Sequence, residues 1–268
     1  MKLYNYKDVL VANELFEGPN SLSGSFDRKH YSASFLKSWK QCPAKLIIDN
    51  VSDSDPTFFK VGSAVHKALE LACGKGFTHD AIEEAKATAF KNLNEEEAKK
   101  ASDYLASYEN IKPYEGKDED ALSLSEHLIE TYVEPLGIAL PVKLKGVVDR
   151  IDYNANGISI IDYKTASKPI CPGSYTSQMA IYKWLFEESA GIEVDSIYIA
   201  QIMKGSSEYI KQKIDLKTQS QLIDDIFAID QEVVESMEER EYKKRKGSHC
   251  RWCPLNGQCD ETMRIDVK

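Results

Sequence analysis

The stretch GVVDRIDYNANGISIIDYKTA, residues 146–166, constrains the fold more than any other part of the chain. Two runs rich in branched apolar residues flank NANG at 154–157, the composition of a tight hairpin turn. Side chains alternate along a strand, so the register of the hairpin decides which residues meet. If the turn pairs Tyr153 with Ile158, Asp149 lies opposite Asp162. If Asn156-Gly157 forms a two-residue turn instead, Asp149 lies opposite Lys164. Either register puts Asp149, Asp162 and Lys164 on one face. Directly opposed side chains stand ~4.5–5.5 Å apart at Cβ, and like charges there repel. A hard divalent cation with oxygen ligands relieves that repulsion, and Mg²⁺ keeps several waters beside one or two carboxylates. Lys164, at the edge of such an ion, can orient or deprotonate an attacking water, or stabilise charge developing on a phosphate. The plainer alternative is a surface salt bridge between Asp162 and Lys164, with Asp149 and Asp152 merely solvated. The opposed Asp149 weighs against it.

The rest of the chain reads as a mixed α/β protein. SASFLKSWKQCPAKLIID, from Ser32, predicts a helix capped by Ser32 or Ser34 and interrupted at Pro43, with Phe35, Leu36 and Trp39 on its apolar side. A second helix is expected over 61–76, with Val65, Leu69 and Ala72 on one side, and one or two solvent-facing helices over 78–110. KPYEGKDED at 112–120 is a polar loop. Strands follow from about Leu128 to Ile161, then an amphipathic helix over 174–189, a strand over 195–203 and a long charged helix over 216–245. No G-x-x-x-x-G-K-[ST] is present, so the chain carries no P-loop motor. The net charge of −9 excludes a generally basic surface, so any contact with nucleic acid is local or works through bound cations. MKLYNYKDVL has neither the apolar run nor the cleavage site of a secretory signal, and no stretch is apolar enough to span a bilayer, so a cytoplasmic location is expected.

GVVDRID…IIDYKTA resembles the RecB/AddB-like branch of the PD-(D/E)XK nuclease superfamily, in which a G-x-x-D strand precedes a D-x-K strand. That branch also has Q-x-x-x-Y on the following helix, matched by Gln178 and Tyr182 in QMAIY, and a helix histidine in a G-x-x-x-H setting, matched by His66 in VGSAVH. The resemblance runs from about residue 31 to 260. It implies a restriction-endonuclease-like central mixed sheet flanked by helices. Residues 1–30 would be an N-terminal extension and 31–268 a single nuclease domain, with a helical insertion at 77–127. It further implies that His66, Asp149, Asp162 and the backbone carbonyl of Tyr163 coordinate Mg²⁺ or Mn²⁺. Lys164 would be the catalytic lysine, and Gln178 and Tyr182 would hold Lys164 or the DNA backbone. Glu134 is a further, lower-ranked candidate for the metal.

HCRWCPLNGQCD places Cys250, Cys253 and Cys259 in C-x₂-C-x₅-C spacing, one ligand short of a tetrahedral site, and Cys42 in KQCPAK is the natural fourth. The pattern resembles the iron–sulfur nucleases of the same branch, the AddB nuclease domain and the CRISPR-adaptation exonucleases. The resemblance implies a structural [4Fe–4S] staple joining residue 42 to 247–260, with Zn²⁺ as the competing occupant. Cys73 and Cys171 fit no spacing and are expected to be buried thiols. YKKRKGSHCRW gathers Lys243, Lys244, Arg245, Lys246 and Arg251, a candidate DNA-phosphate patch with Trp252 available for stacking, or equally a solvated basic helix end.

The expected function is therefore a metal-dependent DNA exonuclease acting at single-stranded ends, in recombination, repair or CRISPR adaptation, in a bacterium or in a bacteriophage that infects one. The alternative is a non-catalytic DNA-end-binding or partner-binding subunit of a helicase–nuclease complex. A helicase or recombination partner and homo-oligomerisation both remain open. No membrane association is expected.

Overall fold

The computed structural model describes residues 31–44, 57–113, 122–133, 142–239 and 243–253. Strand β1 (Tyr31–Ser32) runs directly into helix α1 (Ala33–Gln41). Ser32 caps that helix: its extended backbone turns the hydroxyl back to accept the Phe35 amide at 3.1 Å. Helices α2 (Thr57–Cys73), α3 (His79–Ala89) and α4 (Glu95–Leu105) follow. Thr78 caps α3, and Asn94 with Glu97 forms a reciprocal capping box on α4. The two later helices were expected to face solvent. Each instead buries a small-residue stripe, Ala81, Ile82 and Ala85 on one and Ala101 and Leu105 on the other. These residues join Val65, Leu69 and Ala72 of α2 in a common core.

The sheet contains β2 (Leu122–Val133), β3 (Val142–Asn154), β4 (Gly157–Thr165), β5 (Ser196–Met203) and β6 (Ser206–Lys211), together with β1. Helix α5 (Thr176–Ala190) carries the chain from β4 to the parallel strand β5, and α6 (Leu216–Glu239) follows β6. Sequence reading missed β1 and β6. Two residues are too few to show a period, and SSEYIK alternates only weakly.

The hairpin takes the first of the two registers. Tyr153 pairs with Ile158 and Asn154 with Gly157, leaving Ala155-Asn156 as the turn. Gly157 has φ +95, a conformation that disfavours any side chain. β2 pairs with β3 from Val142 to Tyr153. The other edge of β3 is divided: β4 pairs with Arg150–Asn154, and β1 pairs in parallel with Leu144 and Lys145. Residues 146–149 fall between these two ladders.

Alternation along β4 builds a core on each face of the sheet. Ile158 and Ile160 meet α1, α5 and α6. Ile161 and Tyr163 meet α2, α3 and α4. The second core encloses Arg150, which is 0% exposed. Its Nη1 donates to the Ile111 carbonyl at 2.7 Å and to the Tyr163 hydroxyl at 3.1 Å, and its Nη2 donates to the Tyr209 hydroxyl. Its Nε lies 3.0 Å from Asp152, and the guanidinium stacks on Phe77, Tyr163 and Tyr209. This one side chain ties β3 to β4, to β6 and to the end of the helical layer.

Removing one partner of a buried pair costs about 3–5 kcal/mol, because the groups left behind stay buried and unpaired. Arg150→Ala is therefore expected to lower the melting temperature by roughly 10 °C, at about 2–4 °C per kcal/mol for a chain of this size. Arg150→Lys, which keeps the charge but not the fork, should fall in between. A thermal melt of Arg150→Ala within about 2 °C of the wild type would show that the network contributes little.

Candidate active site

The two aspartates singled out from the sequence meet where β3 and β4 part. The ladder ends at Arg150 and Ile161, and the next residue on each strand is Asp149 and Asp162. Asp149 turns into the gap between the strands, where its Oδ2 accepts the Tyr163 amide at 2.7 Å. The same oxygen lies 3.5 Å from His66 Nδ1 on α2. Asp162 is 2% exposed and is held from the other side of the sheet. Gln178 Nε2, on α5, donates to its Oδ1 at 3.0 Å, and Lys164 Nζ lies 2.5 Å from its Oδ2. The expectation of one shared face is thus refined: the carboxylates share a gap between strands, with helices from both layers closing it.

Two glycines explain how the helices come so close. A Cβ on Gly146 would lie 3.0 Å from Cε1 of Tyr182 and 3.2 Å from Leu185, so the G of G-x-x-D is a seat for the α5 side chains. Tyr182 in turn accepts a hydrogen bond from Gln178 Nε2 at 3.1 Å. Gln178 thus holds Asp162, and Tyr182 accepts from the same amide nitrogen. On the opposite layer, a Cβ on Gly62 would lie 3.0 Å from Thr165 Oγ1, which sets α2 against the end of β4 one helical turn before His66.

The electrostatics follow from this packing. Burial pushes the Asp162 carboxyl up to about 6; Asp149 adds to the rise and Lys164 opposes it. Burial also disfavours the Asp149 carboxylate, but His66, Lys164 and the Tyr163 amide outweigh it and hold that group below the usual carboxylate range. Burial would lower the Lys164 ammonium, yet Asp162 and Asp149 together raise it. The site therefore sets an easily protonated carboxylate beside one that stays ionised.

Hard oxygen donors from two aspartates and a nearby backbone carbonyl, with an imidazole nitrogen beside them, suit Mg²⁺ or Mn²⁺ chemically. Asp162 Oδ2 is buried with no aligned hydrogen-bond donor, only the ionic contact with Lys164. Among the described residues, however, no three His, Cys, Asp or Glu side chains are grouped so as to hold a metal ion as they stand. Asp149 is turned to His66 and the Tyr163 amide, while Asp162 is turned to Gln178 and Lys164. Glu134 and Cys259 lie outside the described residues.

Of the other cysteines, Cys42 is buried just past α1, and Cys250 and Cys253 are half-buried in and after a short helix at Ser248–Trp252. Cys73 is buried as expected. Cys171 is exposed, because it precedes the surface turn Pro172–Tyr175 and reaches neither core. The basic cluster divides. Arg245 is bidentate to Glu232, at 2.6 and 2.8 Å, and donates to the carbonyls of Trp39 and Lys40 at 3.0 and 3.1 Å. The Lys244 amine is buried. Lys243, Lys246 and Arg251 are exposed, and the Trp252 side chain is not among those described. Sequence reading missed two groups at the site, Tyr175 and Lys37. Lys164 Nζ lies 5.3 Å from the centre of the Tyr175 ring, and Lys37 Nζ lies 4.7 Å from it.

A model of the PD-(D/E)XK nuclease superfamily matches residues 30–260. The crystal structure of a putative exonuclease from Eubacterium rectale superposes with a TM-score of 0.53 at 14% identity, covering 100% of this chain and 97% of that one. At that identity the likeness shows a shared restriction-endonuclease-like fold. A second structure, SSO0001, gives a TM-score of 0.41 at 16% identity over 97% of this chain and 98% of that one, too low to carry an argument. A search of curated proteins found no match. No helix among the described residues is long and apolar enough to cross a membrane.

Asp162 is expected to titrate near pH 6 in the metal-free protein, against an ordinary 3.8. Because its pKa is raised on folding, its ionisation removes stability as pH climbs from about 4 to about 6. Lys164→Gln should move that midpoint higher. Carboxyl-carbon chemical shifts followed across pH measure both, and a midpoint near 4 in the wild type would contradict the buried setting described.

Proposed function

The chain belongs to the PD-(D/E)XK nuclease superfamily, and from that premise we propose that it is a divalent-metal-dependent deoxyribonuclease that trims single-stranded DNA ends. The observation that carries this reading is the placement of Asp149 and Asp162 one residue beyond the last ladder pair of β3 and β4, with Lys164 on the second carboxylate. Asp149, Asp162, His66 and the Tyr163 carbonyl are the groups that would hold Mg²⁺ or Mn²⁺. A divalent ion held there supplies an activated water and offsets charge on the phosphate.

The chain's own residues do the rest. Gln178, fixed by Tyr182, keeps one Asp162 oxygen turned away from solvent. Lys164 is bound to Asp162, and its ammonium can bind a non-bridging phosphate oxygen of a strand laid across the site. Exposed Lys243, Lys246 and Arg251 are the cations proposed to meet DNA phosphates at a distance; Lys244 and Arg245 are turned inward. The same chemistry would serve recombination, repair or CRISPR adaptation.

Labelled single-stranded DNA with Mn²⁺ tests the assignment. Lys164→Ala and Asp162→Asn are each expected to cut cleavage by about a hundredfold or more. Substrates blocked at the 5′ or the 3′ end should each protect one polarity. Equal cleavage by wild type and Lys164→Ala would overturn the catalytic assignment. Tight DNA binding without cleavage in any divalent metal would favour a non-catalytic end-binding subunit.

We further propose that Cys42, Cys250, Cys253 and Cys259 bind an iron–sulfur cluster in a structural role. Support comes from Arg245, whose contacts with the Trp39 and Lys40 carbonyls bring the segment before Cys250 against the end of α1, next to Cys42. Closing so long a stretch of chain restricts the unfolded state and favours the folded one. Protein purified without oxygen should be brown and contain iron and acid-labile sulfide, and Cys42→Ser should lose both. Colourless protein with stoichiometric zinc would replace the cluster with a zinc site.

A further inference from the structure

We propose that the cavity enclosed by α1, α5 and α6 beside the aspartate pair is a nucleotide subsite, in which Lys37 binds the phosphate adjacent to the cleaved one and the apolar floor receives that nucleotide's base. The inference rests on the nuclease reading above and adds the substrate contact that places the strand.

The cavity has a volume of about 250 Å³. Its floor is buried and apolar, with Leu36, Ile181, Ile226 and Ile229 among its residues. Its rim is polar: Lys37, Ser174, Ser177 and Gln178. Ligand pockets for larger molecules run from about 300 to 1,000 Å³, so this one has room for a single base and its sugar, and not for a run of bases. Such a mixture of apolar floor and a few polar groups suits a flat ring carrying hydrogen-bonding edges.

Two observations tie the cavity to the catalytic groups. Gln178 lines it and at the same time donates to Asp162, so one side chain forms the wall between them. Lys37 and Lys164 stand over the same Tyr175 ring, 4.7 and 5.3 Å from its centre. Lys164 is also among the charges that act on Lys37, and an anion bound near both would offset their repulsion. Partial burial and then Lys164 hold the Lys37 ammonium below its usual range, with Asp162 opposing.

Lys37 also differs from the other lysine of α1 in its ion pairing. Lys40, on the same helix, is paired with Asp225. Among the described residues no carboxylate oxygen lies within 4.0 Å of the Lys37 amine. In a chain of net charge −9, a carboxylate there would be easy to supply. Phosphates recur along every nucleic-acid strand, so two cations that lie over the same Tyr175 ring can each meet one.

The test uses the full chain and a fluorescent single-stranded oligonucleotide. Binding is followed by anisotropy across a salt series in the Lys164→Ala background, which does not depend on turnover. Adding Lys37→Gln should reduce the slope of log affinity against log salt by about 0.7, the loss of one phosphate contact on a single strand. Lys37→Arg should restore the slope, which a purely structural role would not require. In cleavage assays Lys37→Gln should raise KM severalfold more than it lowers kcat. Ser177→Trp, which closes the rim from the exposed side of α5, should raise KM in the same way while leaving the melting temperature within a few degrees. An unchanged salt slope for Lys37→Gln, or unchanged KM in both variants, would overturn the subsite. Absence of cleavage by the wild type would instead defeat the nuclease reading, and the salt slope would still report on Lys37.

Discussion

A short open edge in the middle of a strand organises this molecule. β3 is covered along one side by β2, while its other side passes from β4 to β1 with residues 146–149 between them. Buried backbone groups need partners. Asp149 supplies one by accepting the Tyr163 amide with its side chain. A hairpin zipped to its end would have used that amide on a β3 carbonyl and left no gap. The carboxylate that satisfies the backbone is thereby fixed one residue beyond the last ladder pair, beside Asp162. Structural necessity and the proposed chemistry meet in a single side chain.

The gap is closed from both faces of the sheet, and each closure depends on a missing Cβ. Gly62 lets α2 settle against Thr165, which delivers His66 to Asp149. Gly146 lets Tyr182 settle against β3, which delivers Gln178 to Asp162. The two aspartates are thus positioned by different helical layers, each with its own core. Arg150 lies next to Asp149 in sequence but points into the second core, where it stacks on three aromatic rings. Its buried network fixes β3 and β4 just before they part. Displacement there would move both carboxylates.

Much of this was legible in the sequence where the signal is local. The NANG turn, the Ser32 cap and the positions of α5 and β5 depend on residues a few places apart. The site residues were legible because ordered motifs place them, although their partners were not. Gln178 turned out to hold Asp162 because α5 crosses β3 and β4 at a height set by Gly146, a three-dimensional fact with no sequence period. Arg150 belongs to no motif, and only its aromatic surroundings, drawn from Phe77, Tyr163 and Tyr209, show it to be buried. Arg245 and Lys244 look like a basic patch when written in a line. Folding turns one toward Glu232 and the last carbonyls of α1, and buries the other's amine. Lys37 carried no motif at all.

The placement of Lys37 is itself a long-range product. α1 is only nine residues long, too short to be stable alone in water. It is held to α6 by a row of polar contacts in which Tyr31 donates to Asp230, Trp39 donates to Glu232 and Lys40 pairs with Asp225. Arg245 closes the row by joining Glu232 to the last carbonyls of α1, where positive charge also complements the helix dipole. The acidic face of α6 therefore does more than solvate a surface: it orients α1 so that Lys37, with no carboxylate oxygen within 4.0 Å among the described residues, lies over the Tyr175 ring that Lys164 also approaches. Cys42 ends that same helix. Arg245 therefore packs the segment before Cys250 against the same short helix that carries Lys37.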